Sequence, residues 1–263
     1  MQQIEDSIPV ILTEIHDGVA HIRLNRPETL NAVNSELCMG LQQAVLAADQ
    51  NAAVKVVMLS GNGRAFCAGG DLHVIQQLCD KETDQLHATL TRDFAAAKQI
   101  YHCTKPTVAA VHGAVVGGGS GIATACDFVV AEEGTRFAFP FLELGILPDM
   151  GILYGLTQRV GLQAARRLLL QGASIKADEA HRLGLVDVIS QSGSLLVDAR
   201  SLVERLAKLG GPAMNFTKQH LNQIGQCSFD ESMEQEILKQ SLLWKTSKVR
   251  TKTENMLAAL TSK

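Results

Sequence analysis

Short apolar runs that alternate with amphipathic stretches fill the first half of the chain. Apolar and polar positions alternate over residues 10–15 and again over 19–24, which is the period of a half-buried strand. Asp17-Gly18 between these runs is typical of a two-residue hairpin turn. Apolar residues then recur at helical spacing to about residue 49, in a segment that Ser35 can cap. The pattern predicts a hairpin followed by a helix.

Strands and helices continue to alternate as far as residue 131, which is typical of α/β layering. We expect strands at residues 54–59, 106–111 and 128–131, and helices at 72–79, 84–103 and up to 125. From residue 163 onward the pattern is mostly helical, with helices at 195–209, 212–224 and 229–244 and a short strand at 185–189 after the helix-ending Gly184. The chain is therefore predicted to have an α/β core over residues 1–194 and a helical C-terminal section over 195–263.

Composition excludes several classes of protein. Hydrophobic residues make up 46% and charged residues 19% of the chain, as in an ordinary globular protein, and the net charge of −3 does not attract nucleic acid or an anionic membrane. We find no signal peptide and no apolar run of membrane-spanning length. The six cysteines form no Cys-x-x-Cys pair, which favours free thiols in a reducing cytoplasm.

Two glycine-rich turns carry the strongest chemical signal. Residues 66–71 (Phe-Cys-Ala-Gly-Gly-Asp) and 115–121 (Val-Val-Gly-Gly-Gly-Ser-Gly) each follow an apolar run and lead into a predicted helix. Such turns leave backbone N–H groups unpaired and let a ligand approach them closely. Two of them can aim two donors at one carbonyl oxygen, which is how an oxyanion hole is built. This points to chemistry on a thioester or a similar acyl group.

An ordered set of motifs resembles the crotonase (enoyl-CoA hydratase/isomerase) family over nearly the whole chain. The matching segments are residues 24–32, 65–72, 105–106, 112–113, 117–119, 125–127 and 144–148. The resemblance implies a spiral of ββα units, a C-terminal helical section that forms a homotrimer or a dimer of trimers, and acyl-CoA substrates of fatty acid metabolism. It implies no metal or redox cofactor. By the same analogy, the oxyanion donors are the N–H groups of Gly70 and Gly118.

The resemblance also implies a set of substrate-binding residues. Those in or beside the turns are Ala68, Gly69, Asp71, Leu72 and Gly117. Arg26 is a candidate for binding the coenzyme A phosphates. Phe137, Phe139 and Phe141 alternate, so an extended segment would point them the same way. We expect Phe137 and Phe141 to line the acyl pocket, and burial in the core is the equal alternative.

The family's hydratases place two glutamates across the substrate, one to activate water and one to supply the proton. Matched onto this chain, the first falls at Gly121 and the second at Phe141, and neither residue can transfer a proton. Water addition by the usual two-carboxylate route is therefore not expected. The absence of these two glutamates bears on the function more than the matching motifs do.

One acid remains at a suitable position, Asp149 in the segment 147–151. An aspartate there resembles the dienoyl-CoA isomerases and, more closely, the ring-epoxide isomerases of phenylacetate breakdown, which work with this acid alone. A single carboxylate suffices to move a proton from C2 to C4 of a 3-enoyl thioester while the oxyanion hole holds the enolate. Desolvation would raise the pKa of such an acid toward neutrality. The alternative is that Asp149 is the N-cap of a helix beginning at Met150.

The leading expectation is thus a cytoplasmic acyl-CoA isomerase, and other functions stay open. A hydratase would need Asp149 or Glu143 to handle water, whereas decarboxylation of a malonyl-type thioester needs the oxyanion hole but no strong base. The thioester can be carried by coenzyme A or by a carrier protein. A non-catalytic acyl-CoA-binding relative would account for the loss of both glutamates. Ser120 lies between glycines, but Ile122 replaces the last glycine of a Gly-x-Ser-x-Gly motif, which argues against serine chemistry.

Overall fold

The computed structural model describes residues 9–261, which form nine β-strands and eleven α-helices. The strands are β1 Ile11–His16, β2 Val19–Leu24, β3 Val56–Gly61, β4 Thr107–Val111, β5 Ala114–Val116, β6 Phe128–Glu132, β7 Arg136–Ala138, β8 Ser174–Lys176 and β9 Val188–Ser190. The helices are α1 Ser35–Gln50, α2 Leu72–Cys79, α3 Thr83–His102, α4 Gly118–Thr124, α5 Ile152–Val160, α6 Leu162–Leu170, α7 Ala177–Arg182, α8 Leu195–Leu209, α9 Pro212–Leu221, α10 Phe229–Leu243 and α11 Ser247–Thr261. They divide into two compact units, one up to residue 208 and one from residue 209.

The larger sheet begins with the predicted hairpin and continues in parallel. β1 and β2 are antiparallel with His16 opposite Val19, and Asp17 (φ 49°) and Gly18 (φ 79°) form the left-handed turn between them. The hairpin prediction is confirmed. Beyond it, β2, β3, β4, β6 and β9 pair in that order as parallel neighbours.

Helices cover both faces of this sheet, because alternate residues of each strand point to opposite sides. On one face Val57 and Leu59 of β3 belong to a core that includes Leu41 of α1 and Ile100 of α3. The other face packs against α8 in a cluster made of Val56, Met58, Val108, Ala110, Val130, Leu195, Ala199 and Val203. Since α8 packs on the sheet, the observed division of the chain falls at the end of α8 rather than at residue 194.

A smaller sheet of three-residue strands adjoins the glycine-rich turns. β5 and β7 are parallel, and β7 and β8 are antiparallel. An isolated bridge between Cys67 and Val115 attaches the first glycine-rich turn to β5, and the second turn follows β5 directly. The sequence pattern does not predict this sheet, because three residues are too few to show alternation.

Two helix starts near the turns bear on the site. Asn34 rather than Ser35 caps α1, since its side chain accepts a hydrogen bond from the N–H of Leu37 at 2.8 Å. This correction leaves the Ser35 hydroxyl available for another contact. Asp71 caps α2, accepting from the N–H of His73 at 3.1 Å. Most other predicted elements lie within two residues of the observed ones, although β9 begins three residues later than the expected strand at 185–189.

The second unit consists of α9, α10 and α11 with a 3-10 turn at Ile224–Gln226. Its large exposed apolar side chains include Leu221, Phe229, Ile237, Leu242 and Trp244. Apolar surface of this kind is typical of a protein interface, and the trimerisation role of this section stays a prediction. Among the residues described, no helix has both the length and the apolar character needed to cross a bilayer.

Candidate active site

A cavity of about 570 Å³ opens beside the two glycine-rich turns, within the first unit. Its walls come from both turns, from α2 and α3, and from the loop at residues 140–150. Most wall residues are apolar, Leu90 and Phe94 among them, and the wall contains two carboxylates, Asp93 and Asp149. Among the described residues that form this wall, none is lysine, arginine or histidine. The cavity therefore suits an apolar acyl group, and the phosphates of a coenzyme A ester would need positive charge from elsewhere.

Backbone pairing holds the two turns side by side. The N–H of Cys67 donates to the carbonyl of Ala114 at 3.1 Å, and the N–H of Val116 donates to the carbonyl of Cys67 at 3.0 Å. Further along, a Cβ placed on Gly117 would lie 3.9 Å from the Cα of Gly69. The two turns are thus in van der Waals contact at the cavity.

The backbone pairing does not use every N–H of the two turns. Val33 and Gly70 form an isolated parallel bridge, in which the N–H of Val33 donates to Gly69 at 2.7 Å. The N–H of Asp71 donates back to Val33 at 2.9 Å, and this pattern leaves the N–H of Gly70 unused. Gly118 is the first residue of α4, where helical N–H groups have no partner within the helix. In the part of the chain that the structure describes, neither N–H donates to a backbone carbonyl, and both residues border the cavity.

Asp149 lies in the cavity wall beside the second turn. α5 begins at Ile152, and the carbonyl of Asp149 rather than its carboxylate accepts from the N–H of Ile152 at 3.0 Å, so the N-cap alternative is wrong. The Oδ1 atom is buried and has no hydrogen-bond partner among the described residues. A Cβ placed on Gly118 would lie 3.8 Å from this oxygen. Burial raises the pKa of Asp149 to about 6, although the residue's own backbone N–H acts to lower it.

The loop that carries Asp149 occupies the space next to Gly121. Met150 has a left-handed backbone (φ 51°), which is uncommon for a residue with a side chain. A Cβ placed on Gly121 would lie 2.6 Å from the Cβ of Met150 and 2.7 Å from its carbonyl oxygen. Any side chain at position 121 would therefore displace this loop. The absence of a glutamate at this position has a physical reason, because that glutamate and the observed loop would compete for the same space.

The residues expected to bind substrate fall into two groups. Those that border the cavity are Ala68, Gly69, Leu72, Gly117 and Phe141. Arg26, Asp71 and Phe137 are not among the residues of the cavity wall. Arg26 and Asp71 are absent from the wall for one reason, and Phe137 is absent from it for another.

Arg26 contacts protein acceptors. Its guanidinium donates to the carbonyl of Ala32 at 2.6 Å and to the carboxylate of Asp71 at 3.3 Å, and the side chain is only 15% exposed. Because Asp71 also caps α2, this pair ties the first motif to the turn that contains Gly70. The arrangement gives Arg26 a structural role and does not support the expected contact with phosphate.

The three alternating phenylalanines do not share one face toward the cavity. β7 ends at Ala138, and the chain turns over residues 141–145. All three are buried in the main core, and of the three only Phe141 also borders the cavity. Phe137 is therefore a core residue, which is the alternative to lining the acyl pocket. Phe141 lies in the cavity wall, as expected of a residue of that pocket.

The α3 wall contains residues that motif matching does not identify. Its apolar side chains recur every fourth residue: Leu86, Leu90 and Phe94. This spacing on a predicted helix is the signal that could have indicated the wall. Asp93 lies in the same wall and accepts hydrogen bonds from Ser35 and Arg92.

Ser120 and Glu143 do not belong to the cavity wall. Ser120 is fully buried, and its hydroxyl donates to the carbonyl of Val115 at 2.8 Å. Glu143 is exposed. Asp149 is therefore the acid of the wall that lies beside Gly118.

Comparison with known proteins assigns the chain to a family. The model of the enoyl-CoA hydratase/isomerase family matches residues 14–259. The crotonyl-CoA hydratase of Syntrophomonas wolfei is 33% identical over 224 residues, 85% of each chain, and the 2,3-dehydroadipyl-CoA hydratase of Escherichia coli is 36% identical over 217 residues, 82% of each chain. The crystal structure of an enoyl-CoA hydratase from Polaromonas has a TM-score of 0.89 at 26% identity and covers 95% of this chain and 97% of that one. This chain therefore belongs to the enoyl-CoA hydratase/isomerase family and has the crotonase fold.

The relatives define the enzyme family more firmly than the reaction. Those compared above are named hydratases. They do not support the narrower resemblance to the phenylacetate-type isomerases. The choice between isomerisation and hydration therefore depends on the acids of the site.

Proposed function

We propose that this enzyme of the enoyl-CoA hydratase/isomerase family is an isomerase that converts a 3-enoyl thioester into the 2-enoyl thioester. The observation that carries the proposal is the unpartnered, buried Oδ1 of Asp149 beside Gly118 in the cavity wall. The positions of the family's two glutamates hold Gly121 and Phe141. One acid suffices for isomerisation, whereas the usual route to hydration uses two.

The proposed reaction needs no group besides Asp149 and the two amides. The carboxylate removes a proton from C2, and the electron pair of the C–H bond forms the C1–C2 double bond while the carbonyl electrons move onto oxygen. The N–H groups of Gly70 and Gly118 donate to this enolate oxygen. When the carbonyl re-forms, the electron pair of the C1–C2 double bond moves to form the C2–C3 double bond. The electron pair of the original C3–C4 double bond then takes the proton back from Asp149 at C4. Atoms and charges balance without a cofactor.

The pKa of Asp149 supports this double role. An acid that must both take and return a proton works best with a pKa near the working pH. Burial raises the pKa of Asp149 to about 6, compared with an ordinary value near 3.8. At pH 7 most molecules therefore hold the carboxylate ready, and it is a stronger base than an exposed aspartate.

Hydration is the second candidate, because the relatives compared above are named hydratases. It would require Asp149 alone to activate water and then to deliver a proton to C2. Isomerisation uses the same carboxylate on carbons that the substrate already presents, without a placed water molecule. For this reason we rank it first.

Incubation with 3-hexenoyl-CoA and with 2-hexenoyl-CoA in deuterated water tests the proposal. We expect ultraviolet absorbance of the 2-enoyl thioester to rise from the first substrate. Mass spectrometry should find deuterium at C4 in those turnovers in which Asp149 exchanges its proton with solvent before returning it. Rapid loss of 2-enoyl absorbance from the second substrate, with no conversion of the first, would establish hydration instead. Release of carbon dioxide from methylmalonyl-CoA would indicate decarboxylation, and tight binding of all three thioesters without turnover would indicate a non-catalytic relative.

The variant Asp149→Asn tests the assigned acid in the same assay. It keeps the size of the side chain and removes the proton-transferring group, so we expect turnover to fall by at least about a thousandfold. The exposed Glu143 provides a matched control, and Glu143→Gln should keep full turnover. If Asp149→Asn retained most of its activity, Asp149 would have no place in the mechanism.

A further inference from the structure

A second carboxylate, that of Asp93, borders the cavity in an otherwise apolar stretch of wall. Its helical neighbours Leu90 and Phe94 also border the cavity. Asp93 is only 8% exposed, and a buried carboxylate is costly unless it is hydrogen-bonded. It lies in the interior of α3, where aspartate is a poor helix former. Neither local structure nor burial favours an aspartate at this position.

Two donors hold this carboxylate in place. Ser35 Oγ donates to Oδ2 at 2.7 Å, and Arg92 Nε donates to Oδ1 at 2.9 Å. An ionised carboxylate has about four acceptor positions. Each oxygen of Asp93 therefore keeps acceptor capacity that these two bonds do not use. The result is an oriented hydrogen-bond acceptor on a residue that lines the cavity.

The charges around Asp93 favour a neutral donor. The Arg92 guanidinium already supplies a positive charge to this carboxylate. A cationic group on a ligand would therefore meet a partly compensated charge, and an anionic group would be repelled by the carboxylate. A hydroxyl group donates one hydrogen bond and adds no charge.

The carboxylates of Asp93 and Asp149 both affect the pKa of one buried thiol, that of Cys38. The pKa of Cys38 is raised to about 12, first by burial and then by nearby groups that include both carboxylates. Both acids border the same cavity. An acyl chain whose reacting carbons lie at Asp149 can extend along the apolar wall toward Asp93.

We propose that Asp93 is a specificity-determining residue that selects acyl groups carrying a hydroxyl, which donates to a free acceptor position of its carboxylate. This inference rests on the proposed function only in that the cavity holds an acyl thioester. It does not depend on proton transfer by Asp149.

Binding of saturated thioesters tests the inference without turnover. Calorimetry would compare hexanoyl-CoA with 6-hydroxyhexanoyl-CoA, and octanoyl-CoA with 8-hydroxyoctanoyl-CoA. In the unaltered protein we expect at least about tenfold tighter binding of the hydroxylated member of one pair, as is typical of a hydrogen bond to a charged group. Asp93→Leu should abolish or reverse this preference, because an apolar wall leaves the hydroxyl unpaired.

Two further variants separate recognition from a merely structural role. Ser35→Ala removes the donor that joins α1 to Asp93 but leaves the carboxylate in the wall, so the preference should persist within about threefold. Asp93→Asn is a second variant, which tests the inference even if Asp93→Leu fails to fold. Its amide oxygen is a weaker acceptor, and the preference should fall several-fold.

Several results would overturn the inference. One is that the unaltered protein binds both members of each pair equally. Another is that the Asp93 variants keep the full preference for the hydroxylated thioester. The third is that Ser35→Ala loses this preference as completely as Asp93→Leu. Failure of the proposed isomerisation is distinguishable, because absent turnover of 3-hexenoyl-CoA would leave these binding ratios unchanged. Failure of hydroxyl recognition would conversely leave that turnover intact.

Discussion

At the scale of single residues, the site depends on a carboxylate that the protein stabilises poorly. Most buried polar atoms in folded proteins have hydrogen-bond partners, yet Oδ1 of Asp149 has none among the residues described. An oxygen left without a partner at a cavity wall is available to a substrate proton. The same feature that equips Asp149 for proton transfer should make it a liability for stability, and both consequences can be measured.

The rate should depend on pH through Asp149. The carboxylate must be ionised to act as a base, and its pKa is about 6. We expect kcat/KM for 3-hexenoyl-CoA to fall about tenfold per pH unit below that value and to level off above it. The pH profile measured between 4.5 and 8 checks this, with Glu143→Gln as a control that should keep the same midpoint. A midpoint near 4 would show that the essential base is an ordinary, solvated carboxylate.

The free energy of unfolding should change with Asp149 in the opposite sense to activity. Since the pKa is raised from 3.8 to about 6 on folding, ionisation opposes folding, and stability is lost as pH rises through this interval. Asp149→Asn should therefore be more stable than the unaltered protein at pH 7.5 by about 1–3 kcal/mol, and this advantage should shrink toward pH 4. Urea unfolding at the two pH values measures the difference. A variant that is destabilised at pH 7.5 would contradict the assignment of a strained, desolvated charge.

At the scale of elements, the site is made by α4 and the Asp149 loop, which approach too closely to admit a side chain between them. Gly121→Ala would place a Cβ 2.6 Å from that of Met150. Overpacking of this kind typically costs about 1–3 kcal/mol, and the displaced loop carries Asp149. We expect lower stability and reduced turnover together, measured by urea unfolding and the 3-hexenoyl-CoA assay.

A matched glycine controls for the change of residue type. Gly225 has nothing within 4 Å of an added Cβ and no left-handed backbone. Gly225→Ala should therefore leave both stability and turnover unchanged. If Gly121→Ala behaved in the same way, the close approach would not be what keeps position 121 a glycine.

At the scale of the whole molecule, the exposed apolar surface of the second unit leads us to predict assembly. Apolar residues such as Phe229, Ile237 and Trp244 are more than 60% exposed on its helices, and contiguous apolar surface favours association. We predict a homotrimer, with a mass in sedimentation equilibrium about three times the 28.3 kDa of one chain, or a pair of such trimers. A chain that stays monomeric at micromolar concentration would contradict this.

Local patterns predicted much of the fold. The bounds of β2, α2 and α8 match the sequence-based expectations, because alternation, helical spacing and end signals lie within each segment. No local pattern predicts the small sheet, since its strands are three residues long and are stabilised by partners distant in the chain. The cap of α1 is ambiguous in the sequence, because Asn34 and Ser35 are adjacent and both are good N-caps, and the structure uses Asn34.

The sequence by itself determined the family, the two glycine-rich turns and the absence of glutamate at positions 121 and 141, because each of these depends on residue types in a fixed order. Only the tertiary structure decided that Asp149 is a desolvated wall residue rather than a helix cap, that Arg26 is bound to Asp71, and that Asp93 joins the same cavity. Burial, ion pairs and cavity walls arise between segments far apart in the chain. No local pattern contains the distances that create them.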